Sequence, residues 1–259
     1  MLGVELLRRM FIDNIPAWSA LLAAPFIGSF LGVVVRRLPE GRPIARSRSQ
    51  CETCGAVLSA RDLVPLFSWV AATGRCRFCA SPLGWFYPGI ELAALAIAMI
   101  SVFLDTGDFV WLDCVLGWWL LTLAWVDVRY WLLPDVLTLP LIVTGLASSF
   151  AFDPSGLADR AFGAVAGYLG LRAIAVTYRA IRGREGLGGG DAKLLAAAGA
   201  WVGVRALPQV VLFAALAGLL AAAGLRIAGV RLGAQSALPF GPFLALATWL
   251  VWLAPAVMS

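Results

Sequence analysis

Two aspartates, Asp127 and Asp191, are the residues of this chain best suited to do chemistry. Asp191 sits in the stretch Gly186 to Lys193, directly after Gly188-Gly189-Gly190, and ahead of an apolar run. Consecutive glycines cost backbone entropy, so they need a use. One use is close approach of another chain, and a second is backbone opened to water at membrane depth. Taken alone, Asp191 also reads as a first-turn residue favoured by the helix dipole. Asp127 closes an earlier apolar run and offers a partner. Two carboxylates held together do not readily both ionise, so one keeps a proton near neutral pH. Such a pair can activate a water and protonate a leaving amine, which suffices for peptide hydrolysis. The chain has no histidine. Ser-His and Cys-His pairs, HExxH metal sites and histidine-based intramembrane sites are thereby excluded. Lys193 is the only lysine, two residues beyond Asp191. Pro134-Asp135 is a natural helix opening, with the acid favoured by the dipole.

The cysteines form a second constellation. Cys51-x-x-Cys54 and Cys76-x-x-Cys79 are two pairs on short turns. Four thiolates so spaced suit tetrahedral zinc. Gly55 and Gly74 are compatible with the turns, and Arg75 and Arg77 would flank a negatively charged site. Cys114, inside an apolar run, reads as a small core residue.

The elements that must position these groups are membrane helices. The chain has 259 residues, 61% apolar and 14% charged, whereas a soluble domain carries about a quarter charged. Eight helices are expected: Trp18 to Val35, Tyr87 to Leu104, Phe109 to Val126, Pro134 to Phe152, Ala158 to Ile181, Ala192 to Gly203, Leu207 to Val230 and Phe240 to Val257. Most approach the ~20 residues that cross a bilayer. Met1 to Pro16 lacks the pattern of a removed signal peptide. Net charge is +5, and the basic residues segregate. Most fall in Arg36–Trp85 and on loops of the same side, which places that side in the cytosol. The acidic turn Asp105 to Asp108 falls outside, and Asp127 and Asp191 come to cytosolic helix ends. A cytosolic loop keeps its thiols reduced, which disfavours disulfides. The helix after Asp191 spans only ~18 Å, against ~30 Å of hydrocarbon. If that helix reaches the outer interface, its glycine-rich start lies within the membrane. Trp118, Trp119, Trp125 and Trp131 fit interfacial belts. Arg172, alone inside a helix, either pairs with a carboxylate or snorkels.

Asp127 with Leu133-Pro134-Asp135, and Gly188-Gly189-Gly190-Asp191-Ala192-Lys193, resemble the two aspartate motifs of the prepilin peptidases, membrane aspartyl proteases of the GxGD type. Further matches are Gly28-Ser29-Phe30-Leu31, Arg37-Leu38-Pro39, the four-cysteine loop, Tyr87-Pro88 with Glu91, and Pro239-Phe240-Gly241-Pro242-Phe243. Their order and spacing agree from about Phe26 to Trp249. The resemblance implies a bacterial inner-membrane enzyme. It would cleave the leader from type IV prepilins or type II secretion pseudopilins at the cytosolic face. It would then methylate the new N-terminus with S-adenosylmethionine. It makes Asp127 and Asp191 the catalytic pair and Cys51, Cys54, Cys76 and Cys79 the zinc ligands. It associates Gly84 and Glu91 with methyl transfer. Three places depart from the pattern: Gly32 stands for asparagine, Asp62-Leu63-Val64-Pro65 for Asp-Asn-Ile-Pro, and Trp85 and Phe86 for basic residues.

The expected organisation is an all-α polytopic membrane protein. Residues 1–35 hold the first transmembrane segment, 36–86 the cytosolic zinc-knuckle region, and 87–259 the transmembrane peptidase domain. Two other classes fit parts of the pattern. A proton-coupled transporter could use Asp127 and Asp191 as a relay. A non-catalytic assembly scaffold could carry the knuckle. The four-cysteine loop and the absence of a clear internal repeat favour the enzyme over the transporter.

Overall fold

A computed structural model describes residues 14–44, 48–104, 109–183, 188–230 and 238–258, with side chains to Ala254 in the last stretch. The expected acidic turn at 105–108, residues Gly186 and Leu187, most of the first segment, and Arg8, Arg9, Arg46, Arg184 and Arg231 lie outside the described residues. All eight expected long helices are present: α1 (Ile15–Arg37), α3 (Phe86–Leu104), α4 (Val110–Tyr130), α5 (Asp135–Phe152), α6 (Leu157–Arg182), α7 (Gly189–Val202), α8 (Leu207–Ile227) and α9 (Gly241–Met258). A short helix α2 (Phe67–Ala71) lies in the polar region between α1 and α3. Among the described residues the only β pairing is two isolated bridges, Gln50 with Val57 and Arg75 with Pro82. Six of the helices are long and apolar enough to cross a membrane; α7 falls short of that length.

The chain divides into two compact units, Met1–Trp118 and Trp119–Ser259, with the division inside α4. In the first unit α1 packs along α3 through small residues. A Cβ on Gly28 would lie 2.7 Å from the Glu91 Cα, and one on Gly32 would lie 2.8 Å from the Tyr87 ring. The Trp118 indole donates to the Ala94 carbonyl at 2.9 Å.

The second unit is built around α7. Ten of its residues are buried, including Asp191 and the run Leu194 to Trp201, as expected of a helix apolar on every face. It packs against α5, α6 and α9. The α6–α7 contact is nearly backbone to backbone. A Cβ on Gly163 would come within 2.6 Å of the Gly199 carbonyl oxygen, and one on Gly167 within 2.5 Å of the Leu195 oxygen. Small residues at such seams let membrane helices approach closely, where packing drives association. At the far end Asp159 accepts the Val204 N–H at 3.1 Å.

Three expectations change. Asp127 lies inside α4, which continues to Tyr130 because Arg129 suits a helix C-terminus. The next helix starts earlier than Ala192: α7 begins at Gly189 and holds Asp191 in its first turn, where the dipole favours it. The tryptophans divide. Trp118 is buried and Trp119 half-buried, each with its indole on a carbonyl (Ala94 and Leu137), whereas Trp131 is 57% exposed. An indole N–H that finds a carbonyl has no need of the interface.

Gly163→Ala should destabilise the second unit by about 1–3 kcal/mol, the usual range for forcing atoms into a filled interface. Gly170→Ala, on the same helix with nothing near its Cβ position, should be neutral or stabilising. Thermal unfolding in detergent compares the two.

Candidate active site

Asp127 and Asp191 both lie in the second unit and are 7% and 8% exposed. Each is held at the start of a helix. The Asp191 carboxylate accepts the Gly188 N–H at 3.3 Å, ahead of the first turn of its own α7. The Asp127 carboxylate accepts the Gly241 N–H at 3.1 Å, from the first residue of α9. The two acids are close enough for the Asp127 charge to act on Asp191.

The segments bearing them are also tied together. Trp131, at φ 55°, ends α4 in the left-handed region, and its N–H reaches the Asp127 carbonyl at 2.9 Å. Leu133 then turns onto Gly190, where a Cβ would lie 2.8 Å from the Leu133 Cβ. Glycine is required here for close approach, the first of the two uses read from the sequence. Asp135 opens α5 and pairs with Lys193 of α7. Lys193 therefore turns to Asp135 and not towards the dyad.

Gly189 lies beside Arg172 of α6, whose guanidinium is 3.9 Å from the Gly189 Cβ position. From Arg172 the helix continues to Arg182, roughly 15 Å further at ~1.5 Å per residue. The glycine-rich mouth of α7 is thus recessed well below the end of α6. The Arg172 side chain itself is exposed.

The cysteines form two similar knuckles in the first unit. The Cys51 N–H donates to the Ala56 carbonyl and Gly55 closes back onto the Cys51 carbonyl, both at 2.9 Å. Cys76 repeats this with Ser81 and Ala80, at 2.8 Å each. Gly55 (φ 70°) and Ala80 (φ 56°) take the matching left-handed position. Gly74 (φ 68°) lies before the second knuckle, against Trp69. All four Sγ atoms lie within 4.8 Å of one another, and the thiols are free. N–H groups of Cys54 and Thr53 lower the Cys51 thiol to about 6, towards the thiolate a metal needs. The cluster can hold a metal ion, and its donors suit zinc. Arg77 pairs with Asp62 at 3.3 Å.

Gly84 and Glu91, which the resemblance associates with methyl transfer, are also in the first unit. Glu91 is buried, accepts the Leu66 N–H at 2.7 Å and is hydrogen-bonded by Ser29. Leu66 has φ 59° and ψ −51°, and the Phe67 N–H closes onto the Pro65 carbonyl at 2.5 Å. This is a γ-turn of the rare, strained hand. Gly84 has φ 69°, and its carbonyl accepts the Trp69 indole at 3.0 Å. Trp69 meets Trp85 at 4.4 Å. At Phe86, one of the departures from the expected pattern, Arg36 lies over the Phe86 and Tyr87 rings at 4.6 and 4.9 Å and pairs with Glu52.

Sequence reasoning missed the Gly241 contact with Asp127. The signal was the glycine inside Pro239–Phe243, which matched as a motif without a stated role.

A helical membrane protein with two interacting buried aspartates and a four-cysteine cluster is thereby defined. Residues 22–105 match the bacterial peptidase A24 N-terminal domain, and residues 114–223 match the type IV leader peptidase family. The chain is 41% identical to a prepilin leader peptidase/N-methyltransferase of Burkholderia pseudomallei, over 87% of this chain and 81% of that protein. It is 41% identical to one of Dickeya chrysanthemi (88% and 89% covered) and 35% to one of Pseudomonas aeruginosa (90% and 88%). The chain belongs to the type IV leader peptidase family. No solved structure matches it significantly.

Two outcomes follow from this geometry. Asp135→Asn breaks an ion pair with half its surface in solvent, so it should cost at most about 1 kcal/mol and leave peptide cleavage largely intact. Metal analysis of protein purified without chelators should find one zinc per chain. Cys51→Ser should reduce that content sharply, and a folded loop with four freely alkylated thiols would refute the assignment.

Proposed function

We propose that this chain is a membrane aspartyl endopeptidase that removes the leader of type IV prepilins or type II secretion pseudopilins, and then N-methylates the new N-terminal residue. The names of its relatives support both activities. The observation that carries the peptidase reading is the pair Asp127 and Asp191, buried, interacting, and each met by a helix-start N–H. One member, ionised, takes a proton from a bound water. The water attacks the scissile carbonyl carbon. The other member, protonated, hydrogen-bonds the carbonyl oxygen and later gives its proton to the departing amine. The protons exchanged belong to the pair.

The asymmetric distribution of arginine supports a site at the cytosolic face of the bacterial inner membrane. Gly188 and Gly189, both exposed, offer little bulk to an extended substrate backbone. Residues 36–86 serve methyl transfer, with zinc on Cys51, Cys54, Cys76 and Cys79 organising a loop too small to fold alone. S-adenosylmethionine is the methyl donor, with Gly84 and Glu91 in its region. Residues 87–259 carry the peptidase.

Asp127→Asn and Asp191→Asn should each nearly abolish leader cleavage and leave zinc content and thermal unfolding close to wild type. Intact mass of a co-expressed prepilin reads leader loss and methyl gain in one spectrum. Near-normal cleavage by either variant would refute the aspartyl mechanism, and a wild-type chain that leaves the prepilin uncleaved would favour a relay or scaffold role. Methyl transfer to a pre-cleaved pilin should survive both substitutions. An active peptidase that adds no methyl group to that substrate would remove the second activity.

A further inference from the structure

The structure brings a third segment to the aspartates, and it comes from far along the chain. Gly241 is the first residue of α9, and its N–H donates to the Asp127 carboxylate at 3.1 Å. The first N–H groups of a helix have no partner within it. This one is therefore available, and it points from the helix end that favours negative charge. The same residue is also closed to any side chain. A Cβ built on Gly241 would lie 2.6 Å from the Asp127 Oδ2 and 3.0 Å from its Cγ. The flanking residues fix the helix start. Pro242 suits the first helical turn, the Phe240 carbonyl accepts the Phe243 and Leu244 N–H groups at 3.1 Å, and the Phe243 ring faces Gly218 of α8.

We propose that Gly241 is a positioning residue of the peptidase. Its N–H fixes the rotation of the Asp127 carboxylate, and its missing side chain leaves the space that carboxylate occupies. The inference rests on Asp127 acting in cleavage. The clash made by alanine is relieved mainly by turning the Asp127 carboxylate, because the Asp127 Cβ, at 3.3 Å, needs only a small shift. Folding is then disturbed less than catalysis, because a misplacement of about 1 Å at a reacting group costs on the order of a hundredfold.

The test is a comparison of four proteins: wild type, Gly241→Ala, Asp127→Asn and Gly218→Ala. The last adds a Cβ at 3.5 Å from the Phe243 ring, an ordinary contact on the same helix pair, and should cleave normally. Gly241→Ala should lower kcat for leader cleavage by about a hundredfold with KM near wild type. Zinc content should be unchanged. A variant that is merely less stable would lose active protein without this split between kcat and KM. Cleavage by Gly241→Ala within about threefold of wild type, beside an inactive Asp127→Asn, overturns the Gly241 assignment alone. Active Asp127→Asn overturns the aspartyl mechanism itself, and this inference with it. If Gly241→Ala does not fold, amide hydrogen exchange at Gly241 decides. An N–H held by the carboxylate should exchange at least about tenfold faster in Asp127→Ala, since nothing else in the helix protects it. An unchanged rate overturns the proposal.

Discussion

Burying two acidic side chains in one apolar unit is the constraint on which the second unit depends. An ion taken out of water costs several kcal/mol unless donors replace the lost solvent. The structure provides those donors from backbone. Gly188 precedes α7 and serves Asp191, while Gly241 begins α9 and serves Asp127. Both acids therefore face helix N-termini, where unpaired N–H groups and the helix dipole favour negative charge. Each donor is a glycine. At Gly241 the carboxylate fills the space a side chain would take, and at neighbouring Gly190 it is Leu133 that comes close.

That arrangement needs α7 to reach the middle of the unit, and small residues provide the means. Gly163 and Gly167 of α6 lie against the backbone of α7 at Gly199 and Leu195. The contact fixes how far α7 slides along α6, and hence how deeply its glycine-rich start is recessed. The Lys193–Asp135 pair and the Leu133–Gly190 contact then fix the other side. The first unit meets a different demand. Its polar region is too small for a sizeable core, so it relies on paired knuckles, a capped turn at Ser59 to Asp62, and the buried Glu91 holding the strained turn at Leu66.

Much of this was legible in the sequence because apolar length and arginine placement are strong signals. All eight long helices stand where the apolar runs put them. Asp127 and Asp191 are both buried in the second unit, and the four thiols cluster as their spacing implies. The ends of helices were less legible. An apolar run stops at the first charge, whereas α4 carries Asp127 in its interior and α7 takes Asp191 into its first turn. Contacts between distant segments left little local trace. The motif around Gly241 marks the glycine without naming Asp127 as its partner, and nothing near Lys193 announces Asp135. The indole of Trp118 could be assigned to the interface only while the Ala94 carbonyl was out of view. Likewise nothing near Arg36 announces the Phe86 and Tyr87 rings of a different helix that it lies over.

The central claim is that Asp127 and Asp191 act as one unit. Groups that do so are strongly non-additive, because losing either removes what both provide. Single-turnover cleavage rates of Asp127→Asn, Asp191→Asn and the double variant, measured at high enzyme concentration over long incubations, test this directly. The account predicts that the double variant is no slower than either single one. A double variant slower by the product of the two single effects would show two independent contributions and contradict a shared dyad.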